Sequence, residues 1–240
     1  MKMKPVLLVM VDISGYTQFV NYHRTSVLHA EEIISELLES VIDRAQFPLQ
    51  LNKLEGDAAF LFTEITAEPS AVAADVSNQI LRFFDAFKLK QQSLVTRAAG
   101  GCPCDACANI HALQLKVVAH AGQAVFKRIK QFDELGGEDV ILVHRLLKNS
   151  VAASEYILVT DAFHRLTGNL FGSEPEMLTE TYDWLGDVPV KVFYPKTLTL
   201  ILPEAKPVSK PAGVLEGMRM WMMSLWHRLW RRRKFNHVPY

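Results

Sequence analysis

Apolar side chains run without a break from Val6 to Val11, and the run ends at the carboxylate of Asp12. A short apolar run bounded by turn residues is typical of a strand that is buried on both faces of a sheet. The Ser-Gly dipeptide that follows supplies a turn, and the residues up to Phe19 indicate the start of a helix. The sequence therefore predicts a buried strand, a tight turn and a helix, with an acidic side chain where the strand ends.

The rest of the chain alternates between helical and strand periods of hydrophobicity. Apolar residues at intervals of three and four predict helices, whereas alternation and short apolar runs predict strands. The predicted helices span 29–42, 69–97, 140–149 and 161–166, the last one capped by Asp161. The predicted strands comprise a hairpin over 49–62, strands at 113–122, 156–160, 179–182 and 190–194, a strand or arm at 126–132 and an edge strand at 198–202. Hairpins mixed with helical crossovers predict an α+β domain with one sheet and helices largely on one face.

Composition and charge narrow the class of protein without identifying a partner. About half of the 240 residues are apolar, which is typical of a globular protein with a substantial core. The 26 basic and 26 acidic residues cancel, so bulk charge gives no reason to expect a nucleic-acid partner. No apolar run reaches the roughly 18 residues of a membrane span, and the amino-terminal residues lack a cleavage site typical of signal peptides. We therefore expect a cytoplasmic protein.

The composition changes near residue 203. Proline and serine residues at 203–213 indicate a linker between a domain at 1–202 and a tail at 214–240. Within the tail, 214–234 combines an apolar helical face with tryptophans and a cluster of arginines, which is typical of helices that lie on anionic membranes. The helix would then hold the protein at the inner face of a membrane. Contact with a partner protein, packing on the chain's own domain and a disordered tail remain alternatives.

Two carboxylates form the first candidate site. Asp12 ends the first strand, and Asp57 follows Gly56 at the tip of the hairpin. If these elements are neighbours, both side chains face one point, and paired carboxylates are hard oxygen ligands for Mg2+ or Mn2+. Amides at the helix start after Asp12 suit a phosphate. The alternatives are that Asp12 only caps the helix and that Gly56-Asp57 is an ordinary hairpin turn.

Several short segments, in a fixed order, carry a resemblance to a known family. The segment Asp12-Ile-Ser-Gly-Tyr-Thr17, followed by Lys53-Leu-Glu-Gly-Asp57, resembles the class III nucleotidyl cyclase catalytic domain, which makes cyclic AMP or cyclic GMP. His120-Ala-Gly122 is similar to that family's His-x-Gly strand end, and 137–146 to its helix with an Asn and an Arg four residues apart. The segments 157–160 and 186–194 resemble its late strand and closing hairpin. The resemblance extends from about residue 6 to 194, and it implies a ferredoxin-like antiparallel sheet with helices packed on one face.

The resemblance also implies a metal-dependent active site that converts ATP, or another nucleoside triphosphate, to a cyclic nucleotide and pyrophosphate. Asp12 and Asp57, with the carbonyl of Ile13, would hold two Mg2+ or Mn2+ ions. Arg145 would stabilise the pentavalent phosphorus of the transition state. In this family each site takes its metal ligands from one domain and its arginine from another, so a homodimer is implied.

Two further groups of residues would bind the nucleotide if the resemblance holds. Lys53 matches the position that reads adenine rather than guanine. Glu134, or alternatively Asp133, lies near the second base-reading position. The backbone amides of the turn would hold the β- and γ-phosphates, and this set comprises Ser14, Gly15, Tyr16 and Thr17.

The chain departs from the family pattern in the helix that bears Arg145. The expected asparagine is Ile141, which cannot hydrogen-bond a ribose, and loss of one such contact costs roughly ten- to a thousandfold in rate. The alanines that usually flank the arginine are replaced, and the residue before it is His144. Two functions therefore remain: a divergent adenylate cyclase, or a catalytically silent cyclase-fold module that binds nucleotide or relays a signal.

The three cysteines of the chain lie together and form a second candidate site. Cys102, Cys104, Cys107 and His111 follow the spacing C-x-C-x2-C-x3-H, which suits a structural, tetrahedral Zn2+ ion. Asp105 or a water molecule is an alternative fourth ligand, and a redox pair of thiols is the alternative to zinc. The segment 100–111 is an insertion relative to common cyclase domains.

Overall fold

The computed structural model describes residues 1–22, 27–66, 68–99, 105–168, 171, 172 and 174–195. In these residues, eight strands form one sheet: β1 (Lys2–Ser14), β2 (Gln50–Glu55), β3 (Ala58–Glu64), β4 (Gln114–Ile129), β5 (Phe132–Gly136), β6 (Tyr156–Thr160), β7 (Glu176–Tyr182) and β8 (Gly186–Phe193). Seven of the strands follow the order β2-β3-β1-β4-β6-β8-β7. The eighth strand, β5, pairs with the later part of β4, beyond the residues of β4 that pair with β6. All pairs are antiparallel except β4 and β6, which run parallel.

The helices of the described residues lie on both faces of the sheet. They are α1 (Tyr16–Tyr22), α2 (Val27–Ile42), α3 (Pro69–Ala99), α4 (Asp105–Ala108), α5 (Glu138–Leu146) and α6 (Asp161–Thr167), and a 3-10 turn covers Ile110–Ala112. Apolar side chains of α2, α3 and α6 form one core with one face, and those of α5 form a second core with the other face.

The α+β prediction is confirmed, with two differences in detail. The sheet contains one parallel pair, and α5 lies opposite the larger helices. Both differences have the same cause. A connection between parallel strands must cross a face of the sheet. Here α5 crosses that face between the parallel strands β4 and β6. The helix that carries Arg145 therefore lies on the face that the other long helices leave uncovered.

The first strand, β1, lies between β3 and β4 and contributes to both cores. Alternate side chains face opposite sides, and all of them are fully buried: Leu7, Val9 and Val11 on the α2 side, and Val6, Leu8 and Met10 on the α5 side. This confirms a strand that is buried on both faces. Asp12 therefore stands at the end of a rigid, central element.

Other element boundaries differ from the predicted ones by a few residues. The hairpin over 49–62 is present as β2 and β3. β4 continues to Ile129, and the chain reverses at Lys130, whose φ is 56°, into β5, so the predicted strand or arm is a hairpin. Thr160, rather than Asp161, caps α6, because its hydroxyl accepts a hydrogen bond from the amide of Phe163 at 3.4 Å.

Several predicted features lie outside the described residues. They are the edge strand at 198–202, the linker at 203–213, the helix at 214–234, and the side chains of Cys102 and Cys104. Within the described part of the chain, no helix is both long enough and apolar enough to cross a membrane.

Candidate active site

Asp12 and Asp57 reach the same point because β1 and β3 are adjacent. In the antiparallel register of these strands, Asp12 lies opposite Ala58, the residue that follows Asp57. Gly56 has a φ of 66°, a left-handed conformation that suits glycine and closes the turn between β2 and β3. The amide of Ile13 donates a hydrogen bond to the carbonyl of Asp57, with an N···O distance of 3.3 Å. Strand pairing thus brings the two carboxyl groups together.

The two carboxyl groups lie close enough for each to feel the negative charge of the other. Burial, followed by the negative charge of Asp12, raises the pKa of Asp57 to about 6. A divalent cation between the carboxylates would remove their repulsion, so these donors fit Mg2+ or Mn2+. Among the described residues, no group of three or more His, Cys, Asp or Glu side chains gathers at one point. Further ligands here would therefore be backbone carbonyls, water or a bound phosphate.

Lys116 on β4 is a third charged group at this point, and the sequence did not indicate it. Its Nζ lies 2.8 Å from Oδ2 of Asp12 and 3.3 Å from the carbonyl oxygen of Leu147, the residue after α5. In the register of β1 and β4, Lys116 lies directly opposite Asp12. The positive charge of Lys116 also acts to lower the pKa of Asp57. The cluster therefore consists of two carboxyl groups and one ammonium.

A left-handed glycine shapes the turn after β1. Gly15 has a φ of 91°, and its carbonyl accepts a hydrogen bond from the amide of Phe19 at 2.8 Å. The hydroxyl of Tyr16 donates to Glu31 of α2 at 2.9 Å, and this bond is the main cause that raises the pKa of Tyr16. Tyr16 is thus attached to α2, whereas the neighbouring Thr17 side chain is exposed.

The structure brings together two of the residues that the resemblance assigns to the nucleotide base. Nζ of Lys53 on β2 lies 3.4 Å from Oε2 of Glu134 on β5, and 3.3 Å from Oε1 of Glu55. Asp133 instead faces Arg128 at 3.8 Å, and most of its side chain is exposed. Of the two acidic candidates, Glu134 is therefore the one beside Lys53.

A cavity of about 370 Å³ opens next to Glu134. Its walls include the rings of Phe62 and Phe126, which pack edge to face with centroids 5.7 Å apart. Asn52 also lines this cavity, and its side-chain oxygen is buried and has no hydrogen-bond partner among the described residues. Leaving a buried acceptor unsatisfied costs about 1–3 kcal/mol. A ligand that presents an N–H group to Asn52 would remove this cost.

Arg145 lies on the exposed side of α5. The other side of this helix is buried through Val140, Val143 and Leu146. Within the described residues, the guanidinium of Arg145 has neither an ion pair nor a side-chain hydrogen bond. Ile141, one helical turn earlier, is 55% exposed. These two positions therefore form a surface that another molecule can reach.

His120 and Gly122 belong to a buried network that joins α5 to α6. The ring nitrogens of His120 lie 2.8 Å from the hydroxyl of Thr160 and 3.0 Å from Oδ1 of Asp139. The other oxygen of Asp139 accepts a hydrogen bond from the amide of Gln123 at 2.6 Å. A Cβ atom at Gly122 would lie 2.3 Å from this oxygen, so only glycine fits. The His-x-Gly motif is thus explained by packing at the amino-terminal ends of two helices.

Cys107, a predicted zinc ligand, is buried and contacts α2. Its sulfur lies 3.6 Å from Nε2 and 3.8 Å from Nδ1 of His29. His111, the predicted fourth ligand, lies in the 3-10 turn and is exposed. No sequence pattern indicated the contact with His29, because it joins elements that are far apart in the chain.

Comparison with known sequences identifies relatives of the whole domain. Residues 34–156 match the family described as "Protein of unknown function (DUF2652)". The chain is also 33% identical, over 182 residues, to the "Uncharacterized protein Rv2561/Rv2562" of Mycobacterium tuberculosis (strain ATCC 25618 / H37Rv). This similarity covers 76% of the present chain and 82% of the mycobacterial protein.

Solved structures with the same fold are nucleotidyl cyclase domains. The guanylyl cyclase Cya2 superimposes with a TM-score of 0.58 and 14% identity, over 83% of this chain and 96% of that one. The adenylyl cyclase CyaB from P. aeruginosa gives a TM-score of 0.56 at 14% identity, over 82% and 98% of the two chains. The guanylate cyclase domain of RhGC from Catenaria anguillulae, in complex with GTP, gives 0.53 at 14% identity, over 82% and 100%.

The comparisons thus identify both a family and a fold for this chain. The sequence matches define the family, and the superpositions define the architecture of the domain. The chain belongs to the family described as "Protein of unknown function (DUF2652)", and its described domain has the fold of class III adenylyl and guanylyl cyclase catalytic domains.

Proposed function

We propose that this protein is a divalent-metal-dependent nucleotidyl cyclase that converts ATP to cyclic AMP and pyrophosphate. The observation that carries the proposal is that strand pairing brings the carboxyl groups of Asp12 and Asp57 together near the end of β1, within a cyclase-domain fold. In the proposed reaction, the ribose 3′-hydroxyl gives up its proton to water, its oxygen forms a bond to the α-phosphorus, and the bond from that phosphorus to the leaving pyrophosphate breaks. Asp12, Asp57 and the carbonyl of Ile13 would hold Mg2+ or Mn2+, which would activate the 3′-hydroxyl group and neutralise charge on the phosphates.

The proposal assigns the triphosphate to the turn after β1. The amides of Ser14, Gly15, Tyr16 and Thr17 follow the metal-binding Asp12 directly in the chain. The left-handed Gly15 supports this assignment, because it turns the backbone away from β1 immediately after the carboxylate. The attachment of Tyr16 to Glu31 holds the turn against α2.

The proposal assigns the base to the region of Lys53 and Glu134. The contact between these residues supports a joint role, since an ammonium donates and a carboxylate accepts hydrogen bonds at adjacent points. The cavity beside Glu134 offers apolar rings for a purine face and the unpaired oxygen of Asn52 for an exocyclic amine. Lys53 matches the position that reads adenine rather than guanine in the cyclases that this chain resembles, so we propose ATP rather than GTP.

A homodimer completes the proposed site. Arg145 has no acidic partner among the described residues of its own chain and lies on an exposed helix face. Ile141, a large apolar side chain one turn before Arg145 on the same face of α5, is exposed as well. A second copy that covers this surface would bury Ile141 and present its Arg145 to the phosphates.

The test is an assay for cyclic nucleotide with purified protein, ATP and Mn2+. We expect product from the unaltered protein, loss of at least about a hundredfold in Asp57→Asn, and normal activity in Asp43→Asn. Asp43 is a suitable control because it is an exposed aspartate just after α2. Absence of product at high protein concentration would contradict the cyclase proposal.

A catalytically silent module is the second candidate, and the observation that favours it is the exposed Ile141 at the asparagine position. This candidate predicts that ATP binds but is not cyclised. Replacing Ile141 with asparagine distinguishes the two, because a weak cyclase should gain activity when a ribose contact is restored. A silent module should remain without product in the same assay.

The proposal includes a structural Zn2+ ion bound by cysteines of the 100–111 segment. The contact of Cys107 with His29 supports a metal here, since two ligand atoms on one tetrahedral zinc stand about 3.5 Å apart. His29 is therefore an alternative to His111 as the histidine ligand of the proposed Zn2+ ion. Zinc content should fall in Cys107→Ser and in one of the variants His29→Ala and His111→Ala. Less than about half an equivalent of zinc in the unaltered protein would contradict the site.

For the tail we propose contact of 214–234 with an anionic membrane surface, on the basis of its sequence pattern alone. Co-sedimentation with anionic liposomes tests this directly. Binding should be lost when residues from 214 onward are deleted, and it should weaken at high salt. Equal sedimentation of the full and shortened chains would contradict it.

A further inference from the structure

Lys116 occupies the position that a cation would take beside Asp12. Its Nζ lies 2.8 Å from Oδ2 of Asp12, and the two side chains retain only 19% and 13% of their exposure. A second contact, at 3.3 Å, joins the ammonium to the carbonyl of Leu147. The ammonium is therefore held from two sides, by the end of β1 and by the residue after α5.

An ammonium and a divalent ion cannot both take the same lone pairs of one carboxylate oxygen. Lys116 also lies close enough to Asp57 for its charge to act on that carboxyl group. A metal ion that binds both aspartates would therefore displace the ammonium and then experience its repulsion. At a few ångströms in a partly shielded site, this repulsion weakens metal binding by about fivefold or more.

We propose that Lys116 is the built-in counter-ion of Asp12 and competes with the divalent metal ion for this carboxylate. The inference rests on the proposed function, in which Asp12 and Asp57 bind the metal. It follows that Lys116 sets the metal affinity of the resting site, and that metal binding releases Lys116 from Asp12. It also follows that metal binding breaks the link from Asp12 through Lys116 to the end of α5, the helix that carries Arg145.

The test is a titration with Mn2+ in the absence of nucleotide, with free Mn2+ measured by electron paramagnetic resonance. Lys116→Met removes the charge and keeps much of the apolar stem. We expect Mn2+ to bind this variant about tenfold more tightly, or better, than the unaltered protein. Lys88→Met is the matched control, because Lys88 forms an ion pair with Glu155 at 2.9 Å and is similarly shielded, at 18% exposure. Its Mn2+ affinity should be unchanged.

Two further variants separate the possible failures. Asp57→Asn reports whether Mn2+ binds at the carboxylate pair at all. If Asp57→Asn loses Mn2+ and Lys116→Met binds it no more tightly than the unaltered protein, the competition is contradicted and the metal site stands. If Asp57→Asn changes nothing, both the metal site and the inference fail.

A folding defect in Lys116→Met would not prevent the test. Lys116→Arg keeps the positive charge and can hold Asp12 through two hydrogen bonds. This variant should bind Mn2+ no more tightly than the unaltered protein. Tighter Mn2+ binding by the arginine variant would overturn the inference.

Discussion

The carboxyl group of Asp12 lies close enough to that of Asp57 for its charge to raise the pKa of Asp57, although Asp12 belongs to β1 and Asp57 lies in the turn between β2 and β3. Two carboxylates at this distance repel each other unless a proton, a metal ion or another cation lies between them. The pKa of Asp57, raised to about 6 chiefly by burial, reflects that repulsion as well. Lys116 relieves part of it from the side of Asp12. The site is therefore poised to take up positive charge.

Mixed dimers provide a test of the proposed shared site. Asp57→Asn and Arg145→Ala should each be inactive alone, since every site lacks one essential group. When the two variants are mixed and exchange subunits, each mixed dimer contains one site with both native residues. We expect the mixture to regain about a quarter of normal activity per subunit.

The rate of cyclic nucleotide formation, measured after the subunits have exchanged, checks this prediction. The matched control mixes Asp57→Asn with Asp12→Asn, which affect the same half of the site and should not restore activity. A mixture of Asp57→Asn and Arg145→Ala that stays inactive would contradict a site shared between subunits.

The base specificity should depend on Glu134 and not on its neighbour. Glu134→Ala removes the partner of Lys53, so the ratio of kcat/KM for ATP to that for GTP should change by about tenfold or more. Asp133→Ala should leave this ratio unchanged, because Asp133 faces the exposed Arg128 instead. Equal ratios in the unaltered protein and Glu134→Ala would remove Glu134 from the base site.

A methyl group at Gly122 should destabilise the domain. It would lie 2.3 Å from Oδ2 of Asp139 and 2.7 Å from Nε2 of His120, so the buried network must shift. Overpacking of this kind costs about 1–3 kcal/mol, which urea unfolding of Gly122→Ala measures. Gly136→Ala is the control, since its new atom would come no closer than 3.5 Å to Lys127. Equal stability of the two variants would contradict the packing explanation of the His-x-Gly motif.

The hydrogen-bond network of His120, Thr160 and Asp139 also predicts that the stability of the domain depends on pH. Burial lowers the pKa of His120 below its ordinary value of 6.5, while Asp139 acts in the opposite direction. The unfolded chain therefore binds more protons at His120 than the folded chain does. Neutral His120 stabilises the folded protein fully above pH 6.5. This stabilisation is lost as the pH falls from 6.5 toward the lowered pKa of the folded state.

Unfolding free energies at about pH 7.5 and about pH 5.5 test this dependence. The unaltered protein should lose more stability over this interval than His120→Gln, by at most about 1.4 kcal/mol per pH unit. The comparison with His120→Gln cancels the contributions of other titrating groups. Parallel curves for the two proteins would show that His120 does not titrate in this window.

Some of the structure could be predicted because the sequence signals are local. The apolar run before Asp12 and the Gly56-Asp57 turn identified two strand ends, and the family resemblance implied a single sheet with packed helices. The contact between Lys53 and Glu134 is consistent with the positions that the resemblance gave. Each of these predictions rests on a short segment with its own turn or hydrophobic period.

The parts that sequence did not indicate depend on register and on contacts between distant elements. Lys116 is one of several polar residues on β4, and only its alignment opposite Asp12 makes it part of the site. His29 resembles any histidine on an amphipathic helix until α2 packs beside Cys107. The sequence predicted Asp161 as the cap of α6, whereas the structure has Thr160, one residue earlier. Both residue types cap helices, so the local sequence does not distinguish them.

The most direct measurement of the central claim is anomalous diffraction at the manganese edge, from crystals grown with Mn2+ and a non-cyclisable ATP analogue. The account predicts a manganese peak about 2.1 Å from carboxylate oxygens of both Asp12 and Asp57, with phosphate oxygens of the nucleotide completing the coordination. The ammonium of Lys116 should then have left Asp12. A nucleotide bound elsewhere, or Mn2+ absent from both aspartates while Lys116 keeps its contact at 2.8 Å, would contradict the account.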